Sequence, residues 1–374
     1  MSVVNKVICG IFLCFIFGIG VSNLVSKNMN FSEIENRVLS QMPQFTFDSF
    51  ISGEFTDDFE VYLSDQFVWK KFWVGLNTDV ERVTLKKENN GVFFGKEDYL
   101  LEGYDKPGEQ LQKNINNILY FLNKAENITS YLMVAPTSVG IYNENLPLYA
   151  PSFSQKETLT YLEDQFNESI IYLDVYGVLL REKEEQIYFR TDHHWTSIGA
   201  YYAYEAAAKK MGFRPYRKDD FSVETVSNDF YGTLYSKASA YRIEPDEIEI
   251  FLPKFNLTYE VEYEVNDQSS NTLYEWDNLN KKDQYAVFLN GNHSLVKIKS
   301  SLHNGRKLVV IKDSYAHAFI PFLANHFEEI HVIDLRYYHL NIYEYLDTNE
   351  IDEVLFLYNL ANFSQDKNMI WLKQ

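Results

Sequence analysis

The sequence predicts an α/β protein: a mostly parallel sheet covered by helices, with a β-rich insertion and an apolar N-terminal segment. Three observations predict it. From about residue 106, short runs rich in β-branched and aromatic residues alternate with helically spaced stretches. Those runs end on turn-forming residues such as Pro136 and Asn359. Between residues 218 and 300 the helical stretches give way to β-rich pieces separated by polar loops.

The first element is apolar. From Val7 to Ser26 there is no charged residue, with Lys6 before the run and Lys27 after it. About 20 helical residues rising about 1.5 Å each reach roughly 30 Å, one hydrocarbon thickness. Gly20-Val21-Ser22 matches a small-x-small cleavage site poorly, which favours an uncleaved signal anchor over a cleaved signal peptide. With a short basic N-terminus inside, the rest of the chain faces outward, so the chemistry is expected on the extracytoplasmic side of a cell membrane. If the segment is cleaved, the protein is secreted.

Residues 1–27 are thus read as the anchor, 28–105 as a juxtamembrane region and 106–374 as the catalytic domain. In the juxtamembrane region Phe55, Phe59, Leu63 and Phe67 recur at helical spacing through Asp57–Trp73. Gly91-Val92-Phe93-Phe94-Gly95 followed by Tyr99-Leu100-Leu101 reads as a short hairpin.

In the third region helices are expected around 111–125, 156–167 and 196–211, the last stopped by Gly212. Strands are expected at 131–135, 170–175 and 187–189. The insertion, about 218–300, carries strands at 247–252, 257–264 and 285–289, either as a separate antiparallel piece or as an added edge. The alternation then returns with strands at 307–311, 329–333 and 353–357 and helices at 315–326 and 342–346. Strands alternating with helices imply a covered, mostly parallel sheet, whose ligands bind at the carboxyl ends of the strands.

Composition narrows the chemistry. The chain has 374 residues, 46% of them hydrophobic and 16% aromatic, so it is not a disordered protein. A formal charge of −19 argues against nucleic acid as a partner, since phosphate binding needs a basic surface. The two cysteines, Cys9 and Cys14, both lie in the apolar segment. The folded part therefore offers no disulfide, thiolate metal site or Cys nucleophile, and covalent catalysis there falls to Ser, Thr, Lys or a carboxylate.

Ser314 follows an apolar strand and precedes an amphipathic helix. A hydroxyl there is presented at a sheet edge, beside backbone N–H groups able to hold an oxyanion; equally, Asp313 and Ser314 could only cap the helix. Asp192-His193-His194-Trp195 decides between them by supplying a general base and the carboxylate to orient it. A metal corner is the competing use of Asp192, His193 and His194. Adjacent histidines at a turn often diverge and no third strong ligand is near in sequence, so neither metal nor cofactor is expected. Asn359, after the final strand, is either a second oxyanion donor or a turn residue.

Asp192-His193-His194-Trp195, Lys312-Asp313-Ser314 and Phe31-Ser32-Glu33-Ile34-Glu35-Asn36-Arg37 together resemble the DHHW family of bacterial proteins. Gly291-Asn292-His293 and Asp334-Leu335-Arg336-Tyr337-Tyr338 extend the likeness over most of the chain after the anchor. That family is similar to alginate O-acetyltransferases of the AlgX/AlgJ type, whose domains are permuted and SGNH-hydrolase-like. The resemblance implies an SGNH-like fold with Ser314 as nucleophile, His194 as base and Asp192 as its orienting carboxylate. It implies O-acetyl transfer to a cell-surface or exported polysaccharide, with acetyl supplied by a membrane-bound O-acyltransferase. A carbohydrate acetyl esterase would use the same triad, and a non-catalytic polysaccharide-binding or assembly protein would keep only the fold. Asn359 matches more loosely, and Arg336 and Asn292 are candidates for substrate contact. Two departures stand out: Lys312 occupies a position where Gly is common, and the base and carboxylate precede the serine, which a permutation explains.

Overall fold

The computed structural model describes residues 2–32, 35, 37–84, 86–264 and 268–374. It comprises two compact units, Met1–Lys86 with Ser239–Arg242, and Lys87–Ala238 with Ile243–Gln374.

The smaller unit begins with helix α1, Val3–Val25, long and apolar enough to cross a membrane; a signal sequence would look the same. The helical spacing around residue 60 resolves into two helices, α2 (Glu54–Asp65) and α3 (Lys70–Val83), instead of the single expected one. The break falls at Trp69, whose left-handed backbone (φ 56°) cannot continue a helix. The buried Asp65 carboxylate pairs with the Arg37 guanidinium and accepts the Ser40 N–H at 2.9 Å. Of the motif at 31–37, Glu33, Ile34 and Asn36 lie outside the described residues; Arg37 from it anchors the segment to α2. Phe45, Phe47, Trp69 and Phe72 keep more than half their surface exposed.

The larger unit is built on an eight-stranded sheet. Its strands are β1 (Thr129–Ala135), β2 (Ile171–Tyr172), β3 (Tyr259–Tyr263), β4 (Gln268–Ser270), β5 (Leu295–Ser300), β6 (Lys307–Lys312), β7 (Glu329–Ile333) and β8 (Glu353–Asn359). Their order across the sheet is β4-β3-β5-β7-β6-β8-β1-β2. The five strands from β7 to β2 are parallel, and β5, β3 and β4 add an antiparallel edge. This is the mostly parallel, SGNH-like α/β sheet expected, and its antiparallel edge comes from the β-rich insertion.

Alternation along the strands sends side chains to two cores. On one face Leu308, Val310, Leu355 and Met133 pack under helices Ser197–Ala208 and Ala316–Leu323. On the other, Val309, Ile311, Phe356 and Leu132 pack under helices that include Glu109–Lys124, Gln155–Phe166 and Ile342–Thr348. Phe221–Phe230 and Asp246–Pro253, also from the insertion, pair with each other as a separate antiparallel ribbon.

Two expected strands are absent. Residues 187–189 form only an isolated bridge between Tyr188 and Trp195. The reason lies just beyond, where the backbone N–H groups of Arg190 and Thr191 bond to the Asp246 carboxylate at 3.0 and 2.7 Å instead of to a neighbouring strand. Residues 285–289 fall in a 3-10 turn, Gln284–Val287, followed by an isolated bridge between Phe288 and Tyr274.

The loop before helix Ser197–Ala208 approaches that helix closely. A Cβ on Gly199 would stand 2.3 Å from the Ile187 carbonyl oxygen, a backbone atom with little room to move. Gly199→Ala should therefore destabilise the protein by about 1–3 kcal/mol although alanine is the better helix former. Thermal denaturation of the variant checks this, and an unchanged or higher Tm contradicts it.

Candidate active site

The expected nucleophile stands in the turn between β6 and helix Ala316–Leu323. Its neighbour Asp313 makes the turn: one carboxylate oxygen accepts the Tyr315 N–H at 2.9 Å. The other accepts the Asn359 N–H at 2.9 Å and the side-chain amides of Asn359 and Asn362 at 2.7 and 2.9 Å. Burial pushes the Asp313 carboxyl above its ordinary range against those bonds. Asp313 thus holds the turn, no side chain among the described residues caps the helix that follows, and the Ser314 hydroxyl bonds elsewhere.

That partner is His194. Its Nε2 lies 2.7 Å from Ser314 Oγ, and its Nδ1 lies 2.5 Å from Asp192 Oδ1. Asp192 and His194 are buried and Ser314 is partly exposed. The three residues come from a loop and a sheet edge 120 positions apart.

Asp192 is itself held. Its Oδ1 accepts the His194 backbone N–H at 3.0 Å, and its Oδ2 accepts the N–H and hydroxyl of Thr233 at 2.7 and 3.0 Å. The preceding residue must be glycine, because a Cβ on Gly232 would come within 2.2 Å of Asp192 Cβ. Burial by itself would raise the Asp192 carboxyl; the neighbouring His193 and His194 and the Thr233 bonds outweigh it and hold the group well below the usual carboxylate range. Burial pushes His194 down to about 4, with His193 adding to it and Asp192 opposing it. At neutral pH the pair is therefore carboxylate and neutral imidazole. The carboxylate keeps the proton on Nδ1, leaving Nε2 to accept from the Ser314 hydroxyl.

Aromatic packing fixes the imidazole plane. The Tyr285 ring stacks on His194 at 3.8 Å between centroids and 10° between planes. Trp195 Nε1 donates to the Tyr315 carbonyl at 2.9 Å, and the Tyr315 hydroxyl donates to the His193 carbonyl at 2.5 Å, tying the Asp-His-His-Trp loop to the serine turn twice.

The remaining expected residues fall into two groups. Asn359 caps helix Leu360–Gln365 with its carbonyl and turns its amide to Asp313, so it supports the serine turn. Asn292, which is exposed, and Arg336, which is partly exposed, meet over a buried cluster of Lys312, Asp334 and His317. The Lys312 ammonium has three N–H groups and three acceptors: Asp334 at 2.9 Å, His317 Nε2 at 2.7 Å and Asn292 Oδ1 at 3.2 Å. Arg336 forks onto both Asp334 oxygens at 2.9 and 2.6 Å and reaches Asn292 at 2.8 Å. Burial lowers Lys312, and burial together with Lys312 holds His317 well below its ordinary value, leaving its ring nitrogen free to accept.

Asp192, His193 and His194 offer ligand atoms within 4.8 Å of one another, so the two histidines do not diverge. A cation there would have to displace Asp192 and Ser314 from His194, or Thr233 from His193 Nδ1, bound at 2.7 Å. A cavity of about 340 Å³ opens beside the site, lined by residues that include Ser138, His193, Tyr315 and Asn359.

Residues 105–333 match the model of the DHHW protein family. The chain belongs to that family. Among solved structures, the DHHW family protein of Eubacterium siraeum is 25% identical with a TM-score of 0.65, over 76% of this chain and 96% of that one. Bacillus cereus PatB1, solved with a sulfonyl adduct, is 21% identical with a TM-score of 0.64, over 76% and 98%. A curated relative, "Probable alginate O-acetylase AlgJ" of Pseudomonas syringae pv. tomato, is 23% identical over 171 residues. The chain spans 43% of that relative's length, and the match covers 43% of this chain. In this DHHW protein Gly232, Thr233, Tyr285 and the organising role of Asp313 are not signalled by any motif. They act across long sequence separations, and only the turn chemistry of Asp313 leaves a local trace.

His194 should titrate in the folded protein with a midpoint near pH 4, well below 6.5, and remain neutral above it. NMR chemical shifts of the imidazole against pH measure this. A midpoint at or above 6.5 would mean that burial does not dominate.

Proposed function

We propose that this DHHW protein is a serine-dependent O-acetyltransferase acting on a cell-surface or exported polysaccharide outside the cytoplasm, through an acetyl-Ser314 intermediate. The observation that carries the proposal is the unbroken path from Asp192 through His194 to Ser314 at 2.5 and 2.7 Å. In the first half-reaction Ser314 Oγ attacks the acetyl carbonyl of an ester donor while His194 Nε2 takes the hydroxyl proton. The backbone N–H of Ser314 stabilises the oxyanion, with the second amide N–H of Asn359 as a further donor. The donor C–O bond then breaks and His194 returns the proton to the leaving oxygen. In the second half-reaction a sugar hydroxyl gives its proton to His194 and attacks acetyl-Ser314, and the bond to Oγ breaks as His194 returns that proton to Oγ.

The acetyl group and the sugar rest on likeness. The relative from Pseudomonas syringae pv. tomato is named "Probable alginate O-acetylase AlgJ" and matches this chain over 171 residues. Helix α1, read as an anchor, would keep the site at the outer membrane face, where a separate multi-spanning acyltransferase supplies acetyl.

Ser314→Ala in the full-length protein should reduce turnover of an activated acetyl ester by about 10⁴-fold or more. Near-full turnover in that variant ends the serine mechanism. A sulfonyl fluoride should modify Ser314, and Asp192→Asn should slow the modification by freeing the imidazole to take the wrong tautomer. Modification at wild-type rate in Asp192→Asn would remove Asp192 from the path. Product formation with and without an acceptor oligosaccharide separates transfer from hydrolysis; hydrolysis indifferent to acceptor supports an esterase.

A further inference from the structure

We infer that the acceptor is an uncharged, hydroxyl-rich glycan, and that polyuronates and other polyanions are excluded from the cavity beside the site. The inference rests on the acyl-transfer reading above and narrows it to a substrate class. The cavity of about 340 Å³ is lined by His193 and Tyr315, the chain neighbours of His194 and Ser314, and by Asn359 and Asn362, whose amides bind Asp313. A smaller hollow of about 190 Å³, lined in part by Lys312, Asp313 and Arg336, shares Asn362 and Gln365 with it. Residues at or just beyond the carboxyl ends of β6 and β8 line both, and the pair of hollows is called the trough.

Hydroxyl and amide side chains in the trough both donate and accept, as sugar hydroxyls do. Its charges cancel in pairs. Lys237 and Glu102 are 2.6 Å apart on its wall. Lys312 and Arg336 both bind Asp334, at 2.9 and 2.6 Å, and the carboxylates of Asp313 and Asp366 line the same hollow. Among the described residues lining the two hollows, every cation already holds a carboxylate within 3 Å.

A polyuronate carries a carboxylate on every sugar, and each one brought into the trough would lose water without gaining a free cation. The chain as a whole adds to this. With 53 acidic against 34 basic residues and a formal charge of −19, its field opposes the approach of a polyanion. A neutral glycan meets neither obstacle.

The test uses the full-length chain in nanodiscs as the Ser314→Ala variant, so that binding is read without turnover. Dissociation constants are measured for cellohexaose, chitohexaose and hexamannuronate. At least one neutral hexamer should bind 10-fold or more tightly than hexamannuronate. Glu102→Gln, which leaves Lys237 without its carboxylate, should raise hexamannuronate affinity about 10-fold. Hexamannuronate binding as well as both neutral hexamers, or no binding by any of the three, overturns the inference. Because this experiment involves no acyl chemistry, its failure is distinct from failure of the serine mechanism, which the sulfonyl fluoride reaction at Ser314 tests separately.

Discussion

The Asp313 carboxylate accepts hydrogen bonds from the Tyr315 and Asn359 N–H groups and from the side-chain amides of Asn359 and Asn362. These bonds tie the ends of two adjacent parallel strands, β6 and β8, to the first turns of the helices that follow them. A buried carboxylate is costly unless its oxygens are satisfied, and here both oxygens are. The consequence for Ser314 is indirect but decisive. The turn is held by its neighbour, so the serine hydroxyl is released from capping and meets His194 instead. Had Ser314 been the residue satisfying the helix N-terminus, the same sequence would describe a structural turn.

His194 is supported from the opposite direction. Asp192, His193 and His194 do not stand on a strand of the main sheet; their loop is fastened by residues of the β-rich insertion. Asp246 holds the N–H groups of Arg190 and Thr191, Thr233 holds Asp192, and Tyr285 stacks on the imidazole. All three lie between residues 218 and 300. The insertion therefore has a task beyond widening the sheet: it supplies the shell that keeps the carboxylate and imidazole aligned. Precise alignment of a base depends on such a shell, because an unsupported loop would sample many orientations. Gly232 marks how closely the two pieces approach.

This division explains what could be read along the chain and what could not. Strands β6, β7 and β8 and the helices near 111–125 and 156–167 were legible because burial on one or both faces imposes a period on consecutive residues. Residues 187–189 have the same apolar composition, yet their neighbours' backbone groups are satisfied by the Asp246 side chain, a partner more than fifty positions away that no local pattern reveals. Residues 285–289 are likewise aromatic and apolar because Tyr285 must cover His194 and Phe288 packs in the core, not because they pair as a strand. At the site, Asp192, His194 and Ser314 were legible as residue types in characteristic contexts. Thr233, Gly232 and Tyr285 were not, since an ordinary threonine, glycine or tyrosine becomes informative only when the fold brings it to the loop.

Lys312 shows how a departure from the common pattern is accommodated. A lysine two positions before Ser314 places an ammonium in a buried environment where glycine would place nothing, and burial alone favours the neutral amine. Three acceptors offset that cost by matching its three N–H groups, and one of them, His317, stands one residue into the helix that Ser314 leads. Asp334 is in turn neutralised by the Arg336 fork, and Asn292 closes the ring by accepting from both cations. Asn292, Asp334 and Arg336 are therefore fastened in one network with Lys312. Given a charged residue at that position, sheet geometry requires acceptors on the facing loops. The same bonds draw those loops against the serine turn, so the buried charge also supplies contacts that keep the turn in place.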